Sequence, residues 1–259
     1  MKPVKKWALL FLLLVLTACG SREGGDEVVV FAAASLEEAL TEIGARYIAQ
    51  RDHVSIVFNF DSSGTLKTQI QEGADCGLFI SAGQGQMDQL EAEGFLLDGS
   101  RSDLLENTVV LAVPEDNPAG LRSFEQLRSA LEEGTVLLAM GSGDVPVGQY
   151  TQKIFAYWGL EEDDLAASGC LTYGSNVKEV ATQVAEGTVD CGIVYGTDAY
   201  SAGLTVVDTA GPEMCGRAVY PAAILAGGRN LDGAGDFLDF LRTGQAAEVF
   251  SRVGFTPLR

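Results

Sequence analysis

Histidine is nearly absent: His53 is the single one in 259 residues. That removes His-based metal sites and most acid–base schemes built on imidazole. No Cys-x-x-Cys pair and no Cys/His cluster occurs, so the usual zinc arrangements are excluded. No Gly-x-Ser-x-Gly elbow is present either, which weakens any serine-hydrolase reading. Positive charge is scarce, with 17 Lys and Arg against 36 Asp and Glu and a formal charge of −19. A chain this acidic cannot offer the phosphate-neutralising surface that nucleic acid needs. What is present is a 47% apolar composition, too high for a disordered chain. The length suits one large domain or two lobes of roughly 100–130 residues each.

The N-terminus reads as an export signal. Lys2, Lys5 and Lys6 precede an unbroken apolar run from Trp7 to Leu16. Ten residues rise only about 15 Å as a helix, half of a bilayer core, so this is a signal segment rather than a membrane span. Leu16-Thr17-Ala18-Cys19 then resembles the bacterial lipobox, which implies a signal peptide over residues 1–18 and a lipid on Cys19. An ordinary signal cut nearby is the alternative. Residues 19–27, polar and Gly-rich, read as a flexible tether. Without residues 1–18 the chain keeps 14 basic residues against 36 acidic ones, a charge of −22. Export also places Cys76, Cys170, Cys191 and Cys215 in an oxidising compartment, where disulfides are expected. Three pairings are possible and the sequence does not choose among them; four buried thiols are the other reading.

The body alternates strand and helix. Val28–Ala32 is a β-branched run, and Leu36, Ala39, Leu40, Ile43 and Tyr47 follow it as one apolar helical stripe. Val54–Phe60 and Gly77–Ile80 are strands, separated by Asp61-Ser62-Ser63-Gly64 and a short helix. The second half repeats the order: a strand at Val136–Ala139, a helix from about Gln149, strands at Leu171–Tyr173 and Gly192–Tyr195, and a helix between them. Glu72-Gly73-Ala74-Asp75-Cys76-Gly77 is echoed by Glu186-Gly187-Thr188-Val189-Asp190-Cys191-Gly192, each just before a strand. The expected fold class is α/β with two lobes, each a mostly parallel sheet flanked by helices. Thr108–Val113 and Tyr220–Leu225 read as hinge strands, giving lobe I over 28–107 and 220–259 and lobe II over 108–219. The C-terminal helix, with Phe237, Leu238, Phe240, Leu241 and Phe250, would complete lobe I.

Four turns follow strands and open helices: Ser35, Ser62-Ser63, Val147-Gly148 and Ser175-Asn176-Val177. Ligands bind at the carboxyl ends of parallel strands, where helix starts present unpaired N–H groups and a positive dipole end. Two such turns from each lobe would enclose a small oxyanion with neutral donors. Hydrogen bonds to a charged acceptor contribute about 1.5–3 kcal/mol each. Six or seven exceed the ~8–12 kcal/mol of micromolar-to-nanomolar binding and leave a surplus for closure. Taken singly, each serine reads more simply as an N-cap, and Tyr195 as core packing.

Several motifs carry a resemblance. Phe31-Ala32-Ala33-Ala34-Ser35-Leu36, Ser62-Ser63-Gly64-Thr65-Leu66, Leu78-Phe79-Ile80-Ser81-Ala82, Asp144-Val145-Pro146-Val147-Gly148-Gln149-Tyr150, Gly192-Ile193-Val194-Tyr195-Gly196 and Val219-Tyr220-Pro221-Ala222-Ala223 stand in this order. Together they resemble the molybdate-binding proteins of bacterial molybdate ABC transporters, from about Val28 to the C-terminus. The resemblance implies a two-lobed, type II periplasmic-binding fold that closes on molybdate or tungstate. It implies hydroxyl and N–H donors at Ser35 and Ser63, N–H donors at Val147 and Val177, and the Tyr195 phenol. It further implies no cofactor and no enzymatic activity, a membrane permease and its ATPase as partners, and a monomeric lipoprotein outside the cytoplasm. Gly64 departs from the family, whose members often have a third serine there, and so leaves Ser62 and Ser63 as alternatives. Receptors for sulfate or thiosulfate, and an exported cleft hydrolase, are the competing expectations.

Overall fold

Two mixed sheets share one strand plan. The computed structural model describes residues 26–258; the expected signal segment 1–18, Cys19 and the tether as far as Gly25 lie outside the described residues. In the first sheet, β1 (Asp26–Ala33) pairs in parallel with β2 (Val54–Asp61) and β3 (Leu78–Ile80). Asp26 and Glu27, expected in the tether, are therefore strand. The next strand along this sheet comes late in the chain, Ala218–Ile224. It lies antiparallel between β3 and β4 (Ser102–Asn107). The second sheet holds β5 (Val109–Val113), β6 (Leu138–Gly141), β7 (Leu171–Gly174), β8 (Cys191–Tyr195) and β9 (Thr205–Thr209). With β10 for Ala218–Ile224 and β11 for Thr256–Pro257, the spatial orders are β11-β4-β10-β3-β1-β2 and β7-β6-β8-β5-β9. Each sheet thus sets three parallel strands beside one antiparallel strand delivered by the other half of the chain.

Neither Thr108–Val113 nor Tyr220–Leu225 lies between the sheets as a free hinge strand. Val109–Val113 is fully inside the second sheet and Ala218–Ile224 inside the first. The chain crosses instead at Thr108, between β4 and β5, and again between β9 and β10.

Helices cover the sheets because their stripes are apolar. After a 3-10 turn at Ala34–Leu36, α1 (Glu37–Ile48) buries Ala39, Leu40, Ile43 and Tyr47. The Tyr47 ring meets Phe237 edge-on at 5.0 Å and Phe240 at 5.2 Å. α2 (Ser63–Gln71) and α3 (Gln84–Ala92) serve the first sheet, and α4 (Phe124–Glu133), α5 (Pro146–Trp158), α6 (Glu162–Ala167), α7 (Val177–Ala185), α8 (Gly196–Ser201) and α9 (Pro212–Cys215) follow in the second half. α10 (Leu231–Leu241) and α11 (Gly244–Arg252) return to the first sheet, burying Phe237, Leu238, Phe240, Leu241 and Phe250. The helix expected from about Gln149 begins at Pro146, because a proline is pre-set for the first helical position. Val147 therefore belongs to the helix rather than to the loop before it.

The disulfide expectation is not met. Cys76, Cys170, Cys191 and Cys215 are all free, buried thiols. Leu138 of β6 registers with Leu171 on one side and Cys191 on the other. Cys170 and Cys191 are thus about two strand spacings apart, roughly 9–10 Å, beyond the ~4.4–6.8 Å a disulfide spans. Burial pushes the Cys76 thiol up to about 12 and Cys191 higher still, which keeps both protonated and unreactive.

Candidate functional site

The carboxyl ends of the parallel strands in both sheets face a single small cavity. Its lining is Ala33, Ala34, Ser35, Asp61, Ser62, Ser63, Ala82, Val145, Pro146, Val147, Val177 and Tyr195. Ser35, Ser63, Val147, Val177 and Tyr195, expected from the sequence, are all in it. Ser35 is half-buried and the other four are buried.

Each donor has a local reason to be there. Ser62 caps α2 by accepting the Thr65 N–H at 3.1 Å, and its Oγ also lies 2.9 Å from Thr65 Oγ1, so its hydroxyl is used within its own turn. Ser63 is the first residue of that helix and has a different partner: its Oγ accepts the Ala82 N–H at 2.9 Å. A hydroxyl that accepts still has its hydrogen to give. Ser63 thus keeps a hydrogen to donate, whereas the Ser62 hydroxyl is engaged within its turn. Ser35 is not a cap either; it lies within the 3-10 turn, whose N-cap Ala33 has no side-chain hydrogen bond. Its Oγ stands 2.9 Å from the Tyr220 phenol oxygen, and that oxygen accepts from Asn107 Nδ2 at 3.3 Å.

From the second sheet, Val147 and Val177 occupy the first turns of α5 and α7, where N–H groups have no partner inside the helix. Gly148 makes the α5 start possible, since a Cβ there would overlap the Gly141 and Ser142 carbonyl oxygens. Asn176 caps α7 by accepting the Glu179 N–H at 3.1 Å, and Ser175 is held by the Glu179 carboxylate. Tyr195 ends β8 and donates to the Ala82 carbonyl at 3.3 Å, from one lobe to the other. Burial holds its phenol well above the usual tyrosine range, so it remains a donor.

No lysine or arginine lines the cavity. Lys67 bonds Gln89 Oε1, and Lys178 pairs with Glu37 across the lobes at 2.6 Å. The one ionisable carboxyl in the lining is Asp61, whose Oδ1 accepts the Ser62 N–H at 2.7 Å. Among the described residues, no group of three His, Cys, Asp or Glu side chains could hold a metal ion. The arrangement offers donors without cations, which suits a small, deprotonated anion.

Sequence reasoning missed Ala82, Asn107 and Tyr220 as supports of these donors. Tyr220 stood in a quoted motif, but its partner Ser35 is 185 residues away, and no local pattern reports such a contact.

The profile of the bacterial extracellular solute-binding proteins matches residues 28–256. The molybdate-binding protein of Escherichia coli is 34% identical over 260 residues, covering 97% of this chain and 98% of that one. A Bacillus subtilis chain classed as an ABC transporter substrate-binding lipoprotein is 30% identical over 260 residues, 96% of each. The periplasmic molybdate-binding protein of Azotobacter vinelandii superposes with a TM-score of 0.77 at 22% identity, over 90% of this chain and all of that one.

Proposed function

The chain belongs to the bacterial extracellular solute-binding proteins, and from that premise we propose that it captures molybdate, and tungstate with it, between its lobes. Ser35 and Ser63 supply hydroxyl and N–H donors, Val147 and Val177 N–H donors, and Tyr195 its phenol, whose single hydrogen turns from the Ala82 carbonyl to the anion. The observation that carries this reading is the lining itself: helix starts, two hydroxyls and a phenol converge where no side-chain cation is present. A fully deprotonated tetrahedral dianion offers only acceptors, so a set made of donors satisfies every oxygen. Neutral donors also avoid the bidentate fork that arginine gives to carboxylates and phosphates.

In this account residues 26–107 with 218–259 form lobe I and residues 108–217 form lobe II, the bounds at 28 and 220 each moved two residues by the strand limits, and the lobes close over the anion. Cys19 carries the lipid that holds the monomeric protein outside the cytoplasm, beside an ABC permease and its ATPase. The protein uses no cofactor and catalyses no reaction. His53 precedes β2, whereas the cavity lies at the other end of that strand, beyond Asp61. Eight strand residues span about 26 Å, too far for His53 to serve as a base.

Thermal unfolding of the full chain in mild detergent, with millimolar molybdate, tungstate, sulfate or phosphate, tests the reading. A ligand at 1,000 times its dissociation constant stabilises the native state by ~4 kcal/mol. A rise in Tm with molybdate and tungstate alone is expected. A rise with sulfate or phosphate instead would make it a receptor for another oxyanion, and no rise at all would remove the reading.

A further inference from the structure

The turn that presents Val147 meets lobe I at a backbone atom, the Asp144 carbonyl oxygen. Asp144 lies between β6 and α5, and its carbonyl accepts from Gln86 Nε2 of α3 at 3.3 Å. The same carbonyl lies against Gly64, the second residue of α2. A Cβ at Gly64 would overlap the oxygen and stand 3.0 Å from the carbonyl carbon and 3.3 Å from the Asp144 Cβ.

Backbone conformation does not explain this glycine. Gly64 is helical and is not among the positive-φ residues. At such a position alanine is the better helix former. What glycine provides is room for the Asp144 peptide. Gln86 adds a second sign that the contact is one that forms and breaks. The residue is buried, and its Oε1 has no hydrogen-bond partner although Nε2 reaches across the cleft. An acceptor left dry while the lobes touch would regain water when they part.

We propose that Gly64, Gln86 and the Asp144 carbonyl form a seat that sets how far the lobes close, and through it the size of anion the cavity selects. Ser63 adjoins Gly64, and Val147 lies in the first turn that follows Asp144. The gap at Gly64 therefore fixes the distance between a donor turn of lobe I and a donor turn of lobe II. In this chain, where the Asp144 peptide fills the space that a serine at position 64 takes in many members of the family, a side chain there wedges those turns apart. The proposal rests on the oxyanion reading of the cleft given above.

The test is Gly64→Ala in the full chain, with molybdate and sulfate titrations, unfolding curves and small-angle scattering with and without anion. The variant is expected to melt, without ligand, at or above the wild-type temperature. It should bind molybdate at least tenfold more weakly, lose part of its preference over sulfate, and stay more open when saturated. Gln86→Met should lose a few-fold in affinity, and it carries the test if Gly64→Ala does not fold. Wild-type affinity and wild-type compaction in the Gly64 variant, or in Gln86→Met when that stands alone, would overturn the seat. If the wild-type protein ignores every oxyanion, the reading of the cleft fails, and ligand-free scattering then decides: a more open Gly64→Ala keeps the seat, identical curves overturn it.

Discussion

The Tyr220 phenol oxygen stands 2.9 Å from Ser35 Oγ and makes that hydroxyl part of a chain of hydrogen bonds reaching the crossing between the lobes. Asn107, the last residue of β4, donates to Tyr220 at 3.3 Å and to Thr197 of α8 at 2.8 Å. Because Asn107 uses its amide N–H groups, Tyr220 accepts there and its own hydrogen is available to Ser35. That order leaves the Ser35 hydrogen for the cavity. Tyr220 thus positions a donor without lining the site itself.

Tyr220→Phe removes this support while keeping the ring, which packs edge-on to Tyr195 at 5.6 Å and Phe255 at 5.3 Å. Losing one neutral hydrogen bond costs about 1 kcal/mol, so roughly fivefold weaker molybdate binding and a slightly lower Tm are expected. Calorimetry on the variant reads the first directly, and an affinity equal to wild type would show that Ser35 orients itself.

Ser63→Ala and Tyr195→Phe act on the same residue from opposite lobes, since the Ala82 N–H donates to Ser63 and the Ala82 carbonyl accepts from Tyr195. Each substitution removes a donor to a charged acceptor, worth about 1.5–3 kcal/mol, so molybdate affinity should fall roughly ten- to hundredfold. Ser63→Ala also leaves the buried Ala82 N–H without its partner and should lower the ligand-free Tm more than Tyr195→Phe. If both variants keep wild-type affinity by titration, the site is misplaced.

Asp61 places a negative charge in the lining of an anion cavity. Asp61→Asn keeps an oxygen for the Ser62 N–H and removes the charge. Screened repulsion of a dianion at several ångströms is about 1 kcal/mol in a watery medium, so molybdate binding should tighten by up to about tenfold at low salt and by less at high salt. Titrations at two ionic strengths check this; equal affinities for variant and wild type at both would show that the carboxylate does not face the ligand.

Asp198 is a buried carboxyl in the first turn of α8, and burial pushes it from 3.8 up to about 7, with Glu38 adding to the rise and Lys178 and the Thr197 hydroxyl opposing it. Between those values the native state holds a proton that the unfolded chain has lost. The contribution is fully present below about pH 4 and declines as pH rises toward 7, by as much as ~4 kcal/mol. Asp198→Asn should therefore gain Tm over wild type progressively from about pH 4 to pH 7 and level off above that. Parallel pH profiles for the two proteins would contradict the assignment.

Much of this architecture was legible because apolar periodicity survives folding. Leu40, Ile43 and Tyr47 read as one stripe and are buried as one. The echo before Gly77 and Gly192 reported two sheets with one plan, since both precede the third parallel strand of their sheet. Ser102–Asn107 and Thr205–Thr209 went unread, being short and polar, with no clean alternation. Export chemistry misled on the cysteines, because their spacing is fixed by strand order, which a sequence does not display. At the site, the residue types and turn positions were readable, whereas the hydroxyl partners at Ala82 and Tyr220 arise from tertiary contacts alone. Pro146 was a usable sign of the α5 start.

The most direct test of the account is anomalous diffraction at the tungsten edge from crystals grown with tungstate. The account predicts one strong peak between the lobes, within hydrogen-bond reach of Ser35 and Ser63 hydroxyls, the Val147 and Val177 N–H groups and the Tyr195 phenol, with no lysine or arginine touching the anion. A peak elsewhere, or an anion held by side-chain cations, would contradict it.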